Sequence, residues 1–417
     1  MNNFLDVYLQ GIKAGQLKRI EKNSFVFTYT KDWLKPENPF RMRLSVRLPL
    51  QEETFSDEVS KIFFSNLLPE GEIRNSIANK KGISPEDDFE LLKALGGECA
   101  GAITIGEEIP LLDISPALTR MHITDKEMNR MLEKLPDYPI LLEDSSRLSL
   151  AGVQQKLPIY VANDNLYFCN NGFPSSHILK PQNKRFKDLV ENETFCMKLA
   201  KKAGLPVPET NILLRYSQPI YIIERYDRAR EAAGLKRIHQ EDFCQALGYG
   251  YSQKYETKDG PNLKQCFELI SEYSSQSLLD SKALLQWVIF NVLIGNCDAH
   301  CKNLSLLIES EKITLAPFYD LLSTSIYPLE KKLAMRIGGG NKAEWISKGR
   351  WQRLSKEIGV SPRQTLEFCR EMAGTLPSLA TQFKSEFVPK YGAENTVTLI
   401  CDYIVKMSNR MSENLSK

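Results

Sequence analysis

From about residue 147 the chain runs through short strand-like segments around one long helix, and from about 240 it turns almost wholly helical. Few folds accept that order: it describes a β-rich lobe with one helix, followed by a helical lobe. The strand-like segments are Leu157–Val161, Leu166–Cys169, His177–Lys180 and Ile220–Arg225. The helix between them, Leu189–Ala203, stops at Gly204 with Pro206 beyond it, which is a strong C-terminal signal. Leu284–Ile294 and Pro362–Met372 are helical, the latter with Ser361 as N-cap and Pro362 as its first residue, and a β-like stretch interrupts at Leu304–Leu315.

The part before residue 147 reads differently. Asp6–Leu9, Ser24–Tyr29 and Arg43–Leu48 are β-like, with Gly11 and Gly15 as turn residues. Glu58–Leu68 and Asp87–Leu95 carry apolar residues at helical spacing, and Gly96–Gly97 turns the chain into a strand ending at Ile105. The expected organisation is an α+β module over 1–110, a small lobe with its linker over 111–240, and a helical lobe over 241–417.

Composition excludes more than it selects. With 42% hydrophobic and 25% charged residues the chain can bury a full core, and a net charge of +2 favours neither nucleic acid nor an anionic membrane as direct partner. No run of about 18 apolar residues stands out, so no membrane span is expected. Met1–Gly15 lacks a basic region followed by an apolar stretch, so no secretion signal is expected. The nine cysteines are scattered without a CxxC pair, which reads as small buried hydrophobes in a reducing cytoplasm. Cys297, His300 and Cys301 are metal-ligand types, but no second ligand cluster accompanies them.

The chemistry concentrates in Gly295-Asn-Cys-Asp298-Ala-His300-Cys301-Lys302-Asn303. An Asp followed five residues later by an Asn is the spacing of a kinase catalytic loop: the carboxylate takes the proton of the attacking hydroxyl, and the amide oxygen holds Mg2+. Lys302 is placed to add charge near the γ-phosphate. Asp320, in Pro317-Phe-Tyr319-Asp320, stands where a second metal-binding Asp is needed, although alone it reads as a helix N-cap for Leu321-Leu322. Lys180 ends a strand, and Glu193 lies on the following helix, the pairing that holds α- and β-phosphates in kinases; Glu191 competes for the same lysine. Ser149-Leu-Ala151-Gly152-Val153-Gln154-Gln155-Lys156 sits where a loop covering the phosphates belongs, without matching G-x-G-x-x-G. Glu224-Arg225-Tyr226 leaves a strand at the junction of the lobes, where backbone groups receive an adenine edge. Gly338–Gly340 lacks a following Lys-Ser/Thr and reads as a surface turn.

Together these strings resemble the HipA family of toxin kinases, the kinase half of type II toxin–antitoxin modules. The matching pieces are Ser149–Lys156, His177–Pro181, Val190–Pro208, Glu224–Arg228, Gly295–Asn303 and Pro317–Leu321, with Gly96–Ile105 resembling the end of the family's N-terminal module. The resemblance implies an α+β, two-lobed, protein-kinase-like fold with an additional N-terminal α+β module and a mostly helical C-terminal lobe. It implies Asp298 as base, Asn303 and Asp320 as Mg2+ ligands, and an ATP site formed by Ala151–Lys156, Lys180, Glu224–Tyr226, His300–Asn303, Tyr319 and Asp320. Ser149 matches the family's autophosphorylated serine. The implied partners are a HipB-like helix-turn-helix antitoxin, through which alone DNA is reached, and a protein substrate such as an aminoacyl-tRNA synthetase. A small-molecule phosphotransferase and a pseudokinase co-repressor are the competing functions; Lys180, Asp298, Asn303 and Asp320 together speak against the second.

Overall fold

A computed structural model describes residues 3–106, 120–135, 154–169, 173–232 and 234–416. Ser149, Ala151, Gly152 and Val153 lie outside the described residues.

The N-terminal module is a four-stranded antiparallel sheet in the order β3-β2-β1-β4, built from β1 (Phe4–Leu9), β2 (Ile12–Glu21), β3 (Ser24–Tyr29) and β4 (Ile103–Gly106). Helices α1 (Lys31–Leu34), α2 (Asp57–Ser65), α3 (Gly71–Lys81) and α4 (Asp88–Leu95) complete it. Gly11 makes the expected turn at φ +81°, but Gly15 lies inside β2, opposite Val7 and Tyr29. A Cβ there would fall 2.3 Å from the Phe27 ring, so close packing requires the glycine. Arg43–Leu48, expected as a strand, is irregular. Its backbone groups bond to side chains instead of a ladder: Leu44 N donates to Tyr29 Oη (2.8 Å), Val46 N donates to Glu241 Oε1 (2.9 Å), and Leu48 O accepts from Tyr29 Oη (2.7 Å).

The small lobe is a six-stranded antiparallel sheet, β5-β7-β6-β8-β10-β9, of β5 (Arg120–Ile123), β6 (Leu157–Ala162), β7 (Asn165–Cys169), β8 (His177–Pro181), β9 (Thr210–Leu213) and β10 (Ile220–Glu224). The two-residue period of a strand sorts its side chains. Leu157, Ile159, Leu179, Ile220 and Ile222 pack with Met128, Met131 and Leu132 of α5 (Asp125–Glu133). Lys180, Tyr221 and Ile223, one residue out of phase, are left for the opposite face. There α6 (Leu189–Lys202) crosses the sheet.

Hairpin β11–β12 (Arg228–Glu231, Gly234–Arg237) leads into the helical lobe: β13 (His239–Asp242), α7 (Phe243–Leu247), α8 (Leu263–Tyr273), α9 (Ser277–Ile294), β14 (Ser305–Glu309), β15 (Lys312–Leu315), α10 (Lys348–Glu357), α11 (Pro362–Tyr391) and α12 (Glu394–Ser416). By length and composition α9 is apolar enough to cross a bilayer, contrary to the expectation from the sequence, yet it is mostly buried at the centre of this lobe. Helix α11 runs past Met372 through Pro377 and Pro389. Each proline removes a backbone hydrogen bond; packing of Phe383 and Phe387 against Phe195, at 5.1 and 5.3 Å between ring centroids, holds the helix through them. Ser361 does precede the helix, but its side chain makes no capping bond.

Candidate active site

Helix α9 ends at Gly295 in the left-handed region (φ +73°), which turns the chain sharply into the 295–304 loop. Asn296 then organises the site. Its Oδ1 accepts from Asp298 N (3.1 Å), and its Nδ2 donates to Asn291 Oδ1 (2.8 Å) and to the Asp320 carbonyl (3.3 Å). Asn303 Nδ2 donates to the Asp298 carbonyl (3.1 Å), which leaves the amide oxygen as the atom available for a cation. Asp320 sits at φ +55°, a conformation that costs a non-glycine residue roughly 1 kcal/mol or more. No helix follows it, so the N-cap reading does not hold.

Across the cleft Lys180 Nζ donates to Glu193 Oε1 (2.7 Å) and pairs with Asp320 Oδ1. Glu191 accepts from Gln182 Nε2 (3.2 Å) instead of competing for the lysine. Burial by itself would discharge Lys180, but the carboxylates of Asp320 and Glu193 outweigh it and hold the ammonium above its usual range. Burial would likewise raise Asp320; Lys180 and Lys156 overcome it and keep this carboxylate ionised. Glu193 is pushed up by burial, and Asp320 adds to the shift.

These groups line one cavity of about 240 Å³, together with Gln154, Lys156, Arg225, Tyr226, His300, Lys302, Asn303 and Tyr319. Tyr226 and Tyr319 stack at 5.7 Å and 19°, a flat aromatic wall suited to a base. Burial depresses His300 to about 3, helped by the charge of Lys254, so its imidazole is neutral. Asp298 is shifted up by burial, against a hydrogen bond from Tyr255 Oη to its Oδ1 (2.7 Å) and the charge of Lys254.

Four expected contacts are placed otherwise. The Glu224 side chain is exposed and absent from the cavity wall, and the Glu224 and Arg225 amides already donate to Glu209 O and Ser176 O (both 2.9 Å). The Arg225 guanidinium is locked by Asp227 (2.9 and 2.7 Å) and Glu98 (3.3 Å), a buried cluster that ties the lobe junction to the N-terminal module. Cys301 points away from the cavity, its sulfur 3.7 Å from that of Cys266 in an apolar pocket. Lys302 Nζ donates to Asp242 Oδ2 (2.7 Å), Asn66 Oδ1 (2.8 Å) and Asn66 O (3.3 Å), so its three hydrogens are taken by protein. Sequence reasoning also missed Asn66, Glu70, Lys254 and Tyr255, which come from the module and from the stretch after α7 and carry no local motif.

No cluster of three or more His, Cys, Asp or Glu among the described residues forms a metal cage. The Asp320 carboxylate and the Asn303 amide oxygen are hard oxygen donors, which suits Mg2+ completed by phosphate oxygens and water.

The HipA N-terminal domain matches residues 5–106, and the HipA-like C-terminal domain matches 148–380. A putative kinase of Sinorhizobium fredii, Y4mE, is 40% identical over 366 residues, 85% of this chain and 86% of its own length. The serine/threonine-protein kinase toxin HipA of Shewanella oneidensis is 32% identical over 80% of this chain and 78% of its own. A chain solved in the Shewanella oneidensis MR-1 complex of HipA, HipB and operator DNA superposes with a TM-score of 0.84 at 27% identity, covering 99% of this chain and 97% of that one. Both matched domains, the relatives and the shared two-lobed kinase-like fold lead to one conclusion: this chain belongs to the HipA kinase family.

Proposed function

We propose that this chain is the kinase toxin of a toxin–antitoxin pair, transferring the γ-phosphate of Mg2+-bound ATP to a serine or threonine of a protein. The observation that carries this reading is the convergence of Lys180, Glu193 and Asp320 with Asp298 and Asn303 on one cavity, from segments up to 140 residues apart. Mg2+, when bound, neutralises phosphate charge. Asp320 and Asn303 are the residues to hold it, and Lys180 is the cation for the α- and β-phosphates. Asp298 accepts the acceptor hydroxyl's proton; its raised pKa brings it nearer to working pH, as general-base catalysis favours. Its carboxylate also borders a second cavity of about 530 Å³, walled by Phe186, Tyr327, Leu329 and Leu333, where the acceptor segment enters.

The partner is a HipB-like helix-turn-helix antitoxin, and DNA is reached through it. The support is the HipA–HipB–operator assembly of the structural relative and a net charge of only +2. The substrate is a protein of translation such as an aminoacyl-tRNA synthetase, Ser149 is autophosphorylated, and the site of action is the cytoplasm. Incubating the chain with γ-labelled ATP and host lysate tests this. Label is expected in one or a few proteins and on Ser149, and Asp298→Asn should reduce transfer roughly 10²–10⁴-fold. Label confined to a small molecule favours the phosphotransferase alternative; ATP binding without any transfer favours the pseudokinase.

A further inference from the structure

A kinase needs a cation at the terminal phosphate on the acceptor side, because charge develops there in the transition state. Lys302, next to Asn303, is the natural candidate by sequence, but its three hydrogens are spent on Asp242 and Asn66. Lys180 stands at the opposite side, between Glu193 and Asp320.

Lys254 meets the requirement. It lines the same cavity as Asp298 and His300 and is largely buried. Its charge is felt by both: it offsets part of the burial-driven rise of the Asp298 carboxyl and helps to keep His300 neutral. The next residue, Tyr255, donates to Asp298 Oδ1 (2.7 Å), so one short segment delivers a hydroxyl and an ammonium to the catalytic loop. Among the described residues Lys254 Nζ makes one hydrogen bond, to Glu70 Oε2 of the N-terminal module (2.9 Å), which leaves two of three hydrogens for a ligand. Glu70 precedes α3 but does not cap it. Its side chain is turned into the cavity instead, with Oε1 buried, 3.9 Å from Lys302 Nζ and without a hydrogen-bond partner among the described residues. A buried carboxylate so placed holds Lys254 beside the catalytic loop with donors to spare.

We propose that Lys254, held by Glu70 of the N-terminal module, forms the terminal-phosphate subsite and is a catalytic residue of phosphoryl transfer. The inference rests on the kinase reading above and assigns to the module a direct part in the site. Lys254 itself forms no covalent bond: the ammonium donates to the γ-phosphoryl oxygens while the P–O bond to the β-phosphate breaks and the acceptor oxygen bonds to phosphorus, its proton passing to Asp298.

The test compares full-length Glu70→Gln with the double variant Glu70→Gln/Lys254→Gln. Both lack the Glu70 charge, so neither leaves it buried and unpaired. Calorimetric binding of Mg2+-ATP and Mg2+-ADP reads the subsite without turnover. The Glu70→Gln protein should prefer ATP to ADP, and the double variant should lose that preference. Transfer in the double variant should fall a further 10²–10³-fold, the usual loss on removing one donor to a developing charge, and Glu70→Gln/Lys254→Arg should recover part of it. An unchanged ATP-to-ADP preference, or transfer within about threefold of Glu70→Gln, overturns the assignment and leaves the kinase reading standing. Failure of the wild-type protein to bind ATP overturns both.

Discussion

The N-terminal module and the small lobe are both α+β units of similar size, yet they are anchored in opposite ways. The module's core, with Phe25, Phe27, Phe64 and Leu92, is continuous with that of the helical lobe, with Phe243, Trp287 and Leu306. One face of the small lobe's sheet has a core of its own with α5, while Ile212, Tyr221 and Ile223 on the other face join the larger core. Helix α6 goes with the larger body: Phe195 packs on Phe383 and Phe387. The Lys180–Glu193 pair joins the sheet to a helix fastened to the helical lobe.

The largest effect should come from cutting the shared core. Phe64→Ala is expected to cost roughly 3–5 kcal/mol and to speed amide exchange in the module and in α8–α9 alike. Faster exchange in the module alone would show that the two do not unfold as one body. Leu157→Ala, in the sheet's separate core, should cost about 2–5 kcal/mol locally. Exchange should rise in β6–β10 and α5 while β1–β3 keep their protection; equal loss in both would break the comparison.

Glu241 sharpens it. Burial lifts this carboxyl, which accepts from Val46 N across the module junction, from 4.5 to about 7. Between those values the folded chain keeps a proton that the unfolded chain has lost, so stability is full below pH 4.5 and falls as pH rises through 7. Glu241→Gln keeps an acceptor for Val46 and removes the titration. Its Tm at pH 8 should exceed the wild type's by an amount worth roughly 1–3 kcal/mol and match it near pH 4.5; parallel Tm curves would contradict the shift. The smallest effect belongs to the Thr124–Glu127 capping box of α5. Thr124→Ala should cost about 1 kcal/mol, visible as faster exchange in α5 and β5 with the module unchanged.

What local sequence determined is what local physics governs. Leu189–Ala203 announces a helix through its periodicity and glycine stop, and the structure ends it at Lys202. Asp298 and Asn303 lie in one loop after a glycine-terminated helix, so their spacing already states their proximity. Lys180 and Glu193 are separated by one strand end and part of a helix, short enough to be paired by pattern. The tertiary structure alone decided which lysine in the cavity is tied up by protein partners. Lys302 is taken by Asn66, 236 residues away, and Lys254 by Glu70, 184 residues away. A lysine's ammonium goes to whichever carboxylates and carbonyls the fold buries beside it, and that choice has no period, cap or spacing in the chain. Gly15 and Arg43–Leu48 were misread for the same reason: a distant ring and distant side chains, not the neighbouring residues, set their conformation.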